Sequence, residues 1–107
     1  LGQDAVQFIG PREKKVRRSG IGTGAITPFT EMAGRLEADL AICTDDGFTL
    51  WSDGAMAIDM GFPVILTNHA CSEEPGVRKL AEVLAKAFPA VPVVPIHEKC
   101  MFETIKV

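Results

Sequence analysis

Residues that commonly carry chemistry are scarce in this sequence. Its 107 residues hold three cysteines, Cys43, Cys71 and Cys100, and two histidines, His69 and His97. The cysteines are odd in number and widely spaced, with no CxxC pair, which argues against a disulfide framework or a thiolate zinc knuckle. A reducing, cytoplasmic setting is therefore expected. No apolar run approaches the roughly 20 residues that span a bilayer. The start, Leu1-Gly2-Gln3-Asp4, lacks the charged opening and apolar stretch of a signal peptide. Positive charge is also limited, with 11 basic against 14 acidic residues and a net charge of −3. The one basic run, Arg12 to Arg18, is interrupted by Glu13 and holds no aromatic residue. It reads as a solvated loop and edge strand, so neither nucleic acid nor membrane is expected as a partner.

Apolar residues, by contrast, make up 47% of the chain, enough for a core without disulfides. Short β-rich runs alternate with helical patterns. Strands are expected at Ala5–Ile9, Lys15–Ile21, Leu40–Cys43, Phe62–Leu66, Val91–Ile96 and Phe102–Val107. A helix opening at Thr27-Pro28 would bury Phe29, Met32, Ala33 and Leu36. A second, Trp51–Met60, would turn Trp51, Ala55, Met56 and Ile58 inward and end at Gly61. A third, opened by Ser72 or Glu74, carries an apolar stripe of Val77, Leu80, Ala81, Leu84 and Phe88, with Arg78, Lys79, Glu82 and Lys86 facing water. The alternation predicts a single α/β domain over residues 1–107, with a mostly parallel sheet and helices on both faces. The chain opens on Leu1 rather than methionine, so it is expected to be a fragment or the C-terminal part of a longer two-part protein.

Ligands of such sheets bind beyond the carboxyl ends of the strands. Those ends are Gly20–Gly24, Thr44–Gly47, Thr67–Ser72 and His97–Cys100, where the polar, glycine-rich and histidine-bearing segments fall. His69 and Glu73, four residues apart at a helix start, can converge on one point, and imidazole with carboxylate suits zinc, iron or manganese. The spacing is short and frequent, however. A surface histidine beside an acid that complements the helix dipole explains it as well. Gly22 and Gly24 could offer backbone N–H groups to a phosphate, or could serve a tight turn, since no Walker or GxGxxG pattern is present. Asp45 and Asp46 could ligate a metal, hold a ligand hydroxyl or be solvated. Cys71 and Cys100 would need an electropositive neighbour to be reactive. A Ser72–His69–Asp46 triad can be written, but no GxSxG elbow supports it.

The segments Gly22-Thr23-Gly24, "Ala-Asp-Leu-Ala-Ile-Cys-Thr-Asp-Asp" and "Ala-Ile-Asp-Met-Gly-Phe-Pro-Val-Ile-Leu-Thr-Asn-His-Ala-Cys-Ser-Glu" follow one another in a familiar order. From about Val16 to Phe102 the chain is similar to the C-terminal half of the NIF-three-like dinuclear-metal-centre family, also labelled GTP cyclohydrolase I type 2 homologues. Asn68 stands where that family usually has glycine, and Ser52 where it commonly has a histidine. The resemblance implies one half of the NIF-three-like fold, with His69 and Glu73 as ligands to divalent metal ions. It implies that two adjacent histidines and an aspartate from an N-terminal half complete the site. It further implies a metal-dependent hydrolase of a nucleotide-like or phosphate-containing substrate, and a homo-oligomer, possibly a hexamer. This chain alone would then supply half of a site and no unaided catalysis. An oligomerisation module without chemistry, or a small phosphate binder through Gly20–Gly24, are the alternatives.

Overall fold

A computed structural model describes residues 1–25 and 27–105. Four strands form one sheet: β1 (Gln7–Ile9), β2 (Ser19–Ile21), β3 (Leu40–Thr44) and β4 (Val64–Thr67), in the spatial order β1-β4-β3-β2. β2 runs parallel to β3 and β3 parallel to β4, while β1 lies antiparallel on β4. The mixed α/β, mostly parallel arrangement agrees with the sequence expectation. Because β2, β3 and β4 point the same way, the loops that follow them emerge at one edge of the sheet.

Alternation within the strands decides which face is buried. Ala41 and Cys43 of β3 stand beside Val64 and Leu66 of β4 on one face, and all four are buried. The first helix, α1 (Phe29–Ala33), covers this face with Phe29 and Met32. The Phe29 ring meets Phe48 and Phe62 edge-on, at 5.4 and 5.6 Å between centroids. That geometry suits the ring quadrupoles. α1 stops early: Gly34 ends it, and Leu36 is left outside it and exposed, against the expectation.

The second helical segment begins with a π-helical turn over Leu50–Gly54 and continues as α2 (Ala55–Asp59). Here the predicted face is inverted. Gly54 and Ala57 face the core, whereas Trp51 is 90% exposed and Ala55, Met56 and Ile58 are also exposed. The small residues Gly54 and Ala57 fit close to the core, so their side of the segment turns inward and the larger apolar side chains turn out. Gly61 ends α2 as predicted. At φ +56 it takes the left-handed conformation, and Gly61 N–H and Phe62 N–H donate to the carbonyls of Ile58 and Ala57.

The third helix, α3 (His69–Ala87), opens at His69, three residues before the earliest predicted start. Pro75 lies inside the helix. The stripe on α3 was expected to be buried, but Val77, Leu80, Leu84 and Phe88 are each more than a third exposed. No strand forms at Val91–Ile96, since Pro92 and Pro95 remove ladder donors within it and Pro89 stands just before it. Phe102–Ile105 is likewise irregular, and Lys106 and Val107 lie outside the described residues. Arg17 and Arg18 donate backbone N–H groups to Asp39, so part of the basic run braces the fold beside the edge strand β2. Among the described residues no helix is long and apolar enough to cross a membrane.

Candidate metal centre

Three loops meet at the carboxyl edge of the sheet: Gly22–Gly24 after β2, Asp45–Gly47 after β3, and Asn68–His69 after β4. The β3–β4 ladder continues one step beyond the strands, with Asp45 N–H donating to the carbonyl of Thr67 at 2.9 Å. The Asp45 carboxylate then reaches across, accepting from the backbone N–H of His69 at 3.0 Å and the Asn68 amide at 2.8 Å. It thereby satisfies one of the orphan donors of α3 and places an acid where the helix dipole favours it. Gln3 also braces this corner, its side-chain carbonyl accepting from Thr67 Oγ1 and Asn68 N–H at 2.5 and 3.1 Å. Nothing in the sequence pairs Gln3 with residues so far along the chain.

His69 is the first residue of α3 and Glu73 lies one turn later, so the two share a helix face. Nε2 of His69 is 3.4 Å from Oε2 of Glu73. On the other side of the ring, Nδ1 is 2.6 Å from Oδ2 of Asp46. That hydrogen bond is the main cause raising the imidazole above its ordinary 6.5, with burial opposing it and Glu73 adding to it. The same bond is the main cause holding the Asp46 carboxyl below its ordinary 3.8.

Gly24 closes the site from above. Its φ is +67, and a β-carbon there would lie 2.5 Å from Oε1 of Glu73 and 3.6 Å from Nε2 of His69. Glycine takes this left-handed φ without strain, and a side chain here would push the Glu73 carboxylate aside. The loop is pinned by Gly24 N–H donating to Ser72 Oγ at 3.2 Å, while Thr44 Oγ1 donates to the Gly24 carbonyl at 2.5 Å. Gly22 N–H donates to the Ile42 carbonyl at 2.9 Å. Both amides considered for a phosphate cradle are thus engaged within the protein, and the glycines serve close approach instead.

The other sequence candidates separate from this centre. The triad lacks its central link: Ser72 Oγ donates to the backbone carbonyl of His69 at 2.7 Å, and Nε2 faces Glu73 rather than the hydroxyl. Cys43 is fully buried, and that burial pushes its thiol up to about 11, which leaves it inert near neutral pH. Cys71 is buried and Cys100 partly so, and both are free thiols. His97 joins a different cluster, donating from Nδ1 to Oε1 of Glu74 at 2.5 Å.

The residues fit a divalent metal ion as two donors, an imidazole nitrogen and a carboxylate facing one another next to Gly24, which adds no side chain there. Among the described residues no third His, Cys, Asp or Glu joins them in a metal-holding group. A closed structural site wants about four ligands. A proton held on Nε2 competes with a cation for the same lone pair, so occupancy would rise with pH.

A family model described as Duf34/NIF3 (NGG1p interacting factor 3) matches residues 1–100. Among solved structures, the Staphylococcus aureus hypothetical protein SA1388 is 25% identical with a TM-score of 0.66, over 82% of this chain and 28% of that one. A second crystal structure of Staphylococcus aureus protein SA1388 is 24% identical with a TM-score of 0.66, over 95% and 28%. The chain therefore spans little more than a quarter of the length of these relatives. No curated protein matches it. With the family model covering nearly the whole chain and the fold shared with SA1388, this chain belongs to the Duf34/NIF3 family.

Proposed function

We propose that this chain is the metal-binding domain of a dinuclear metal-dependent hydrolase, contributing His69 and Glu73 as half of the site. The observation that carries the reading is the pairing of His69 Nε2 with the Glu73 carboxylate at 3.4 Å under Gly24, while Nδ1 is held by Asp46. The substrate class is a nucleotide-like or other phosphate-containing molecule. Divalent ions bound there, zinc, iron or manganese, would activate water and polarise the scissile bond. His69 and Glu73 hold the site from this side, and the remaining donors come from outside residues 1–107. Asp45, Asp46 and Glu73 crowd the edge with negative charge, so a phosphate approaches only once that charge is offset.

Metal analysis of the purified full protein tests this, comparing wild type with His69→Ala and Glu73→Ala. Both variants are expected to lose metal. Full metal content in both would sink the reading.

A second reading rests on a separate observation, the uncovered apolar side of α3. Val77, Leu80, Leu84 and Phe88 would suit a homo-oligomer interface, a hexamer included, in which the domain serves assembly without chemistry. Light scattering decides it, because a strict monomer removes it.

A further inference from the structure

We propose that Asp46 is a positioning residue for this half-site: its carboxylate takes the Nδ1 proton of His69 and so presents Nε2 to a divalent metal ion. The proposal rests on the reading of His69 and Glu73 as ligands. It goes beyond that reading by giving Asp46, which is not a ligand, a role in presenting one.

The first argument is hydrogen-bond polarity. An ionised carboxylate only accepts, so at 2.6 Å from Asp46 Oδ2 the proton of a neutral imidazole sits on Nδ1. The lone pair is then on Nε2, the nitrogen that faces Glu73. A metal-bound histidine commonly carries such a partner on its other nitrogen, which fixes the tautomer and makes the ligand more basic.

The second argument is how the two residues are held. Asp45 N–H continues the β3–β4 ladder and its side chain accepts the backbone N–H of His69. The turn that carries Asp46 and the helix start that carries His69 are therefore tied together independently of the ring. Asp46 can then set the ring's orientation rather than follow it. The adjacent acids divide the work, Asp45 fixing the backbone and Asp46 the imidazole.

The third argument excludes a simpler role. The two ring nitrogens lie on opposite sides of the imidazole. An acid bonded to Nδ1 cannot share with Nε2 the ion that Nε2 binds, so Asp46 acts through His69.

The test is a Zn²⁺ titration of the full protein against a competing chelator, for wild type, Asp46→Asn, Asp46→Ala, His69→Ala and Glu73→Ala. Affinity is expected to fall about ten- to a hundredfold in both Asp46 variants. Nitrogen NMR of metal-free wild type, above the pH at which His69 titrates, is expected to place the His69 proton on Nδ1. This measurement needs no variant to fold. A proton on Nε2, or wild-type affinity in both Asp46 variants while His69→Ala and Glu73→Ala are weakened, would overturn the proposal and leave the ligand reading intact. Wild-type affinity in His69→Ala and Glu73→Ala overturns the ligand reading, and the proposal with it.

Discussion

Gly24 and Glu73 come so close that a β-carbon on the glycine would lie 2.5 Å from Oε1 of the acid. Chain direction explains the contact: the loop after β2 and the first turn of α3 emerge at the same edge of the sheet. Gly24 also takes φ +67, so it answers two demands at once.

Those demands can be separated experimentally. Gly24→Ala is expected to lower stability by roughly 1–2 kcal/mol from the left-handed backbone alone and to displace the Glu73 carboxylate, cutting metal content. Gly61 has a similar φ of +56 but open space around it. Gly61→Ala should therefore show the stability loss in urea denaturation while metal content stays at the wild-type level. Equal metal content in the two variants would mean that the Gly24–Glu73 contact does not matter to the site.

The clasp around Glu74 predicts a pH effect. Its side chain is 9% exposed and accepts from His97, from Arg78 Nε at 3.1 Å and from Glu98 N–H at 3.4 Å. The His97 bond is the chief cause holding the carboxyl below its ordinary 4.5, with Arg78 next and burial opposing both. A depressed pKa means that the folded state binds the proton less tightly than the unfolded state. The associated stability is full above 4.5 and is lost as pH falls through the lower folded value. Urea denaturation of wild type is expected to weaken across that acid range, and Glu74→Gln should flatten this part of the profile. An unchanged acid limb in the variant would remove Glu74 as its source.

Much of this was legible from sequence where local pattern and burial agree. β3 and β4 are short apolar runs bounded by turn residues, and both lie close to the expected positions. Gly61 ended its helix as read, because a left-handed cap depends on one residue. The approach of His69 to Glu73 was legible from their four-residue spacing at a helix start, although α3 begins three residues before the earliest expected position. What failed depends on the phase of helices and on long-range partners. An apolar periodicity puts the larger side chains inward, whereas here the small Gly54 and Ala57 face the core, so the inward face of that helix was read the wrong way round. The three prolines after Phe88 were visible, and weighing them would have removed a predicted strand. The bond from Asp46 to His69 spans 23 positions, and sequence could pair the two only within a written triad whose Ser72 link is not made.

The contrast between covered and uncovered apolar residues yields a paired prediction. Phe29 is 2% exposed and touches two other rings, so Phe29→Ala should cost about 3–5 kcal/mol through lost burial and a residual cavity. Leu80 looks as hydrophobic in the sequence but is 57% exposed. Within residues 1–107, Leu80→Gln should change stability by less than about 0.5 kcal/mol. Urea denaturation of the two variants checks both values. A large loss for Leu80→Gln would mean that something covers the α3 stripe in solution.

Trp51 offers an optical check on the inverted helix face. It is the chain's single tryptophan, so its fluorescence is unmixed. The sequence pattern would bury it, whereas the fold leaves it 90% exposed beside the π-helical turn. A free indole on the surface meets a neutral quencher about as often in the native as in the unfolded protein. Acrylamide quenching of the native state is therefore expected to approach that measured in concentrated urea, with little shift in emission on unfolding. Strong protection in the native state would show the indole covered. Its dependence on protein concentration would then tell whether a second copy or the rest of the same chain provides the cover, because only association between copies weakens on dilution.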